Sequence, residues 1–158
     1  HPGGSLGMRL LQVEEKMRPV EHCRLAGIDD TVRQIFARPL PSRRTGAVMI
    51  VGTNNQLVGI FTDSDLARLF ENRQDNALDQ PIHEVMTIHP ISVLEGTRLE
   101  DAVALLESRR LSELPVVDAN GRPRGLIDVV DLVGADFSAT AKETNGRSQE
   151  QREHSSAA

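Results

Sequence analysis

The chain has 158 residues and a formal net charge of −5, with arginines interspersed among the acidic residues. This balance gives no indication of a surface for nucleic acid or for an anionic membrane. A single cysteine, Cys23, excludes an internal disulfide, and with no long apolar run and no signal peptide we expect a cytoplasmic protein. Because the first residue is His1 and not methionine, we also expect the chain to be part of a longer protein.

The first segment, residues 1–12, begins with His-Pro-Gly-Gly-Ser-Leu-Gly and predicts a glycine-rich turn ahead of leucines at helical spacing. On composition alone it could equally be a flexible linker. It lacks the Gly-Lys-Ser/Thr ending of a P-loop, so that type of phosphate site is excluded.

An internal repeat organises the rest of the chain. Residues 59–66, Gly-Ile-Phe-Thr-Asp-Ser-Asp-Leu, recur as residues 125–132, Gly-Leu-Ile-Asp-Val-Val-Asp-Leu, at an offset of 66 (125 minus 59). Such self-similarity indicates a duplicated structural unit. A unit of about 60 residues would bury only about 60% of its unfolded surface alone, so we expect the two halves to pack on each other.

Both repeats are predicted to contain a helical lead-in turn, a helix, two strands joined by a turn, and a closing helix. In the first repeat, residues 13–72, the lead-in turn is predicted at residues 13–17 and the helix from Asp29 or Asp30 until Pro39. Its two strands are predicted at residues 48–51 and 56–61, and the closing helix from Thr62. In the second repeat, residues 82–135, the lead-in turn is predicted at residues 82–86 and the helix from Thr97, with a Thr97–Glu100 capping box. Its two strands are predicted at residues 114–117 and 124–127, and the closing helix from about Val129. Residues 73–81 are predicted to be a polar linker, and residues 136–158 a disordered tail.

This order, with Gly-Ile-Phe-Thr-x-x-Asp-Leu after a hairpin, resembles a tandem pair of CBS domains, the cystathionine-β-synthase type regulatory module, over roughly residues 13–135. The resemblance implies an α/β (α+β) fold in which duplicated β-α-β-β-α repeats pack as a pseudo-two-fold CBS pair. His-Pro-Gly-Gly ahead of such a pair is similar to the bacterial D-arabinose-5-phosphate isomerases, where a sugar isomerase domain continues into a CBS pair. Residues 1–12 would then end that domain, and His1 would belong to the catalytic site of the parent protein.

Thr62-x-x-Asp65 at a predicted helix start has two interpretations. Free amides and the helix dipole favour an anion there, with the Thr62 hydroxyl for a phosphate and the Asp65 carboxylate for a ribose cis-diol. The same pattern is close to a capping box, and such a cap stabilises any helix by about 1 kcal/mol. The CBS resemblance implies that this threonine and aspartate contact phosphate and ribose of adenine nucleotides.

The second copy has Asp128 at the position of Thr62, and Asp131 at the position of Asp65. A carboxylate there would repel phosphate, so the first site is predicted to be the better phosphate binder, while Asp131 would keep a ribose role. Since the chain has no Trp or Tyr, adenine is predicted to lie between aliphatic side chains. The candidates are Val20, Ile60, Ile91, Val93 and Leu126.

Arginine pairs precede a strand in each repeat, at residues 43–44 and 109–110. Guanidinium groups suit phosphate, but they also cover carbonyls and apolar surface at helix ends. We therefore expect only one of each pair, Arg44 and Arg110, to reach the cleft. No His, Cys, Asp or Glu set has metal-ligand spacing, so we predict no metal and no required cofactor.

Three functions are considered. The resemblance implies a regulatory CBS pair that binds an adenine nucleotide or a CMP-sugar between its repeats and acts on its own sugar isomerase domain. The parent would interconvert D-ribulose 5-phosphate and D-arabinose 5-phosphate in Kdo and lipopolysaccharide biosynthesis. The alternative is a ligand-free dimerisation scaffold, and an enzyme in its own right is disfavoured because no catalytic constellation follows Gly4. By resemblance, CBS pairs would form a homodimer, within a parent that is a dimer or a tetramer.

Overall fold

The computed structural model describes residues 10–39 and 46–132. The strands and helices in them are β1 (Arg18–Pro19), β2 (Arg24–Gly27), α1 (Val32–Ala37), β3 (Ala47–Val51), β4 (Leu57–Thr62), α2 (Asp63–Glu71), β5 (Thr87–Ile88), β6 (Val93–Leu94), α3 (Leu99–Arg109), β7 (Glu113–Val117) and β8 (Pro123–Asp128). Short 3-10 helices lie at Val13–Glu15, Val20–His22, Thr53–Asn55, Asp75–Asp79 and Ile82–Glu84. The chain divides into two compact units after Asp128, and the described part of the second unit, residues 129–132, is helical.

Two four-stranded sheets form the first unit, with strand orders β2-β3-β4-β5 and β1-β8-β7-β6. Each sheet takes one edge strand from the other repeat. Thr87 of β5 pairs with Ile60 of β4, and Arg18 of β1 pairs with Leu126 of β8. Thr87 and Arg18 are equivalent lead-in residues, at an offset of 69 (87 minus 18). We call this reciprocal arrangement the strand exchange, and with the matching sheets it confirms the predicted duplicated α/β fold.

Strand β3 is buried on both faces. Val48 and Ile50 point into a cluster with residues of α1 and α2, whereas Ala47 and Met49 point into a second cluster. The second cluster includes Leu126, which belongs to the other sheet, so it joins the two halves of the molecule. This double burial explains why β3 is an uninterrupted apolar run with no alternation of polar residues.

The glycines that open the two repeated segments make room for the strand exchange. A Cβ at Gly59 would collide with the sulfur of Met86, and a Cβ at Gly125 would collide with the sulfur of Met17 and with the backbone carbonyl of Arg18. Met17 and Met86 are equivalent residues that lead into β1 and β5. The repeated glycine is therefore required by the close approach of the exchanged segment.

Gly125→Ala is expected to lower the free energy of unfolding by about 2–3 kcal/mol, and Gly59→Ala by only about 1 kcal/mol. The thioether of Met86 can change rotamer, whereas the Arg18 carbonyl is held by the pairing of β1 with β8. Urea denaturation of both variants measures the difference. Equal losses of unfolding free energy in the two variants would show that the Arg18 carbonyl is not what excludes a Cβ at Gly125.

Two predicted helix starts are wrong. Helix α3 begins at Leu99 after Arg98, and the Thr97 hydroxyl donates to the Leu94 carbonyl at 2.7 Å, so the Thr97–Glu100 capping box does not form. Helix α1 begins at Val32 and not at Asp29 or Asp30. It starts later because Thr31 and Gln34 form a reciprocal capping box there.

The predicted polar linker is part of the core. Residues 73–81 contain the 3-10 helix Asp75–Asp79, whose Ala77 and Leu78 are buried in the same cluster as Val48. The side chains of Ala77 and Leu78 anchor this segment to the core, although its composition is mostly polar. The predicted tail, residues 136–158, lies outside the described residues.

Candidate functional site

A cleft of about 350 Å³ opens where β4 ends and α2 begins. One wall is the first turn of α2, and the other comes from the second repeat, at β5 and at the connection between α3 and β7. The cleft is therefore assembled by the strand exchange, which brings the lead-in segment of the second repeat beside the first. Five predicted ligand-binding residues line it: Ile60, Thr62, Asp65, Ile91 and Arg110.

The remaining candidates lie elsewhere. Val20 and Val93 are half-buried and do not line this cleft. Leu126 is only 1% exposed in the core, so the expectation that it contacts a base is wrong. Asp131 is half-buried in the helical residues of the second unit. His1 and Arg44 lie outside the described residues.

Thr62 and Asp65 form a reciprocal capping box at the start of α2. The Asp65 amide donates to Thr62 Oγ1 at 3.2 Å, and the Thr62 amide donates to Asp65 Oδ2 at 2.9 Å. The cap uses the Thr62 hydroxyl as an acceptor, so its proton can still be donated to a ligand. Asp65 Oδ1 accepts a bond from Arg68 at 3.0 Å, and because Arg68 is exposed, this pair can open at little cost.

The helix start offers fewer amides than the sequence predicts. The amides of Thr62 and Asp65 are used in the capping box, and the Asp63 amide donates to the Gly46 carbonyl at 3.1 Å. Ser64, which also lines the cleft, supplies the remaining amide of this turn. Anion binding here would therefore depend on side chains as well as on the helix dipole.

Two residues on the cleft wall have left-handed backbone conformations. His89 has φ of 50° and Arg110 has φ of 53°, and both line the cleft. For residues other than glycine such conformations cost of order 1–3 kcal/mol and cluster at functional sites. In Arg110 the conformation ends α3 and turns its side chain toward the cleft.

The equivalent position in the second repeat is filled by an ion pair. Asp128 replaces Thr62 and Arg18 replaces Thr87, and Arg18 Nη2 lies 3.4 Å from Asp128 Oδ2. Both side chains are buried, at 8% and 4% exposure. The charge of the Asp128 carboxylate is thus partly neutralised by Arg18, a partner that the sequence alone did not predict. The expectation that the first site is the better phosphate binder stays a prediction.

Glu113 is a cleft residue that the sequence analysis missed. It begins β7, opposite Asp128 of β8, and lines the cleft with Thr62. The pKa of Glu113 is raised to about 7, mainly by burial and further by repulsion from Asp128, Asp63 and Asp65, with a partial offset from Arg18. The cleft thus contains a carboxyl group that is half-ionised near neutral pH.

The described residues show neither a metal cluster nor a membrane span. Within residues 10–39 and 46–132, no three His, Cys, Asp or Glu side chains are grouped so that they could hold a metal ion. None of the helices in the same ranges has the length and apolarity that a membrane span requires.

Comparison with known proteins identifies the family. Residues 24–72 and 82–138 each match the family model for the CBS domain. The chain belongs to the CBS domain family. The two matched segments correspond to the two repeats, so this is a tandem CBS pair.

The curated relatives of this CBS pair are longer proteins. It is 34% identical to the arabinose 5-phosphate isomerase KdsD of Francisella tularensis, over 84% of this chain and 40% of the relative. It is 32% identical to the arabinose 5-phosphate isomerase GutQ of Escherichia coli K12, over 85% of this chain and 41% of the relative. The chain thus spans about two-fifths of the length of these relatives.

Among solved structures, this CBS pair is similar to CBSX2, a CBS-pair protein of Arabidopsis thaliana, in its complex with AMP. The TM-score is 0.67 at 26% sequence identity, and the match covers 82% of this chain and 98% of that chain. Nearly the whole of that protein is therefore matched by this chain.

Proposed function

We propose that this CBS pair is the regulatory module of a sugar-phosphate isomerase and binds a nucleotide or nucleotide-sugar in the cleft beside α2. The observation that carries the proposal is the cleft itself, where Thr62 and Asp65 of one repeat face Arg110 of the other. A ligand there would contact both repeats. Its binding would change how firmly the two halves are held together.

The proposed ligand lies with its phosphate at the start of α2. The Ser64 amide and the Thr62 hydroxyl donate to the phosphate, supported by the positive end of the helix dipole. Asp65 accepts from the ribose once Arg68 moves away, and the base packs on Ile60 and Ile91. We favour an adenine nucleotide because CBSX2 has been solved with AMP, and a CMP-sugar is the second ligand to test.

The proposed parent activity follows the names of the curated relatives. We infer that the longer protein interconverts D-ribulose 5-phosphate and D-arabinose 5-phosphate in the cytoplasm, with His1 in the active site of its isomerase domain. An imidazole suits proton transfer between adjacent carbons because it titrates near neutral pH. The CBS pair would transmit ligand binding to that domain through residues 1–12.

AMP at a hundredfold excess over its dissociation constant is expected to stabilise the chain by about 2.7 kcal/mol, a rise in melting temperature of roughly 5–10 °C. Thr62→Asp should abolish this shift, since it places a carboxylate at the phosphate position. Aspartate is as good an N-cap as threonine, so α2 should remain stable. Differential scanning calorimetry with AMP, ATP and a CMP-sugar measures both effects.

Thr31→Asp is the matched control. Thr31 caps α1 through the same reciprocal box as Thr62, but it does not line the cleft. Thr31→Asp should therefore keep the full AMP shift, and Thr62→Ser should keep most of it. An AMP shift that survives Thr62→Asp would place the ligand elsewhere.

A ligand-free dimerisation scaffold is the second candidate function. The Phe70 ring on α2 is 53% exposed, and contact with another copy would remove its apolar surface from water. A homodimer of CBS pairs, with a dimeric or tetrameric parent, is compatible with either function. No shift with any nucleotide at millimolar concentration, together with a dimer by sedimentation, would favour the scaffold.

A further inference from the structure

Glu113 lines the same cleft as Thr62 and Ser64, the residues proposed to bind the phosphate. It lies between the first turn of α2 and the buried Asp128 of β8. Its carboxylate and that of Asp128 both come within 4 Å of the point where a Cβ of Gly46 would stand. The carboxylates of Glu113 and Asp128 therefore lie close to each other at the inner end of the cleft.

The charges around Glu113 do not favour its ionised form. It faces Asp128 from β8 and Asp63 and Asp65 from α2, while Arg18 from β1 is bound to Asp128. On the cleft wall, the charges of Arg68 and Arg110 are balanced by those of Asp65 and Glu113, with His89 beside them. The cleft is thus close to neutral overall when Glu113 is ionised, and gains a positive charge when Glu113 is protonated.

We propose that a phosphate-bearing ligand enters this cleft together with one proton, which the Glu113 carboxyl group takes up from solvent. This inference rests on the proposed function and names the proton as its second ligand. An ionised Glu113 repels the phosphate, whereas a protonated Glu113 donates a hydrogen bond to a phosphate oxygen. The proton forms an O–H bond on the Glu113 carboxylate, and the buffer acid that releases it becomes its conjugate base.

The expected effect on affinity follows from the protonated fraction. With a pKa of about 7, roughly one Glu113 in eleven is protonated at pH 8, so the apparent dissociation constant for AMP should be about tenfold weaker than for the protonated form. Glu113→Gln retains the shape and a hydrogen-bond donor without the charge. It should bind AMP about tenfold more tightly than the natural chain at pH 8, and nearly equally at pH 6.

Isothermal titration calorimetry with AMP at pH 8 tests this directly, in two buffers of different ionisation enthalpy. The natural chain should take up close to one proton per AMP bound, and Glu113→Gln close to none. Glu71→Gln is the matched control because Glu71 is exposed at the far end of α2. It should take up the same number of protons as the natural chain. Phosphate itself titrates near pH 6, so AMP contributes little proton uptake at pH 8.

The remaining outcomes separate this inference from the proposed function. Equal proton uptake by the natural chain and Glu113→Gln would overturn the inference and leave nucleotide binding intact. Weaker binding by Glu113→Gln at pH 8 would also overturn it, since Glu113 would then act as a charged acceptor. Absence of AMP binding in all three folded proteins would overturn the inference and the nucleotide proposal together. Thermal unfolding of each variant verifies that it is folded.

Discussion

Arg18→Met is expected to lower the free energy of unfolding by about 3–5 kcal/mol at pH 8. The substitution leaves the buried Asp128 beside Glu113 without the arginine that now lies 3.4 Å from it. Asp128→Asn should cost less, about 1–3 kcal/mol. Once the neighbouring carboxylate is gone, its repulsion of Glu113 is removed, and the ionised Glu113 can pair with Arg18 in its place.

Urea denaturation of both variants measures this asymmetry. Arg33→Met is the matched control, because Arg33 pairs with Asp79 at 2.7 Å but both side chains are more than half exposed. Its urea midpoint should change little, since exposed ion pairs are screened by solvent. Equal losses in Arg18→Met and Asp128→Asn would show that Glu113 does not replace Asp128 as the partner of Arg18.

Glu113→Gln is expected to stabilise the unliganded chain at pH 8 by up to about 3 kcal/mol. The pKa of Glu113 is raised from its ordinary value of 4.5 to about 7 in the folded chain. Between these values the folded chain holds more protons than the unfolded chain, so stability falls as the pH rises through this window. Above it both states are ionised, and the full cost of the buried charge is present.

The measurement is the difference in urea midpoint between Glu113→Gln and the natural chain from pH 8 down to pH 4.5. The difference should be largest at pH 8, shrink through neutral pH and disappear near pH 4.5. Glu71→Gln should show no such trend, because its side chain is exposed. A difference that stays constant with pH would exclude ionisation of Glu113 as its cause.

Four of the eight strands in residues 10–39 and 46–132 were predictable because their signals are local. The apolar runs predicted the ends of β3, β4, β7 and β8 to within two residues. Turn residues such as Asn120-Gly121, where Gly121 has φ of 80°, marked where the strands end. The burial of Ala77 and Leu78 within the linker at residues 73–81 was not predicted, because the segment is mostly polar in composition. Their burial depends on contacts with distant parts of the chain, which composition does not record.

The site was predictable only in the repeat where a motif marks it. Thr62 and Asp65 follow from the repeated segment, but Glu113 does not, since no local pattern distinguishes it from a surface glutamate. Counting outward from Asn120-Gly121 would have placed Glu113 opposite Asp128 and shown the crowded carboxylates. The contact of Arg18 with Asp128 could not be predicted without the strand exchange, because the pairing of β1 with β8 brings the two residues together.

The strand exchange also bears on why two copies reside in one polypeptide. A lone repeat would have to borrow its missing edge strand from a second molecule, and the two faces of such a symmetric assembly would be chemically identical. Fusion into a single gene removes that restriction. The two faces of this chain differ accordingly, because one contains the buried pair of Arg18 and Asp128 while the other has Thr62 and Thr87 on an open cleft.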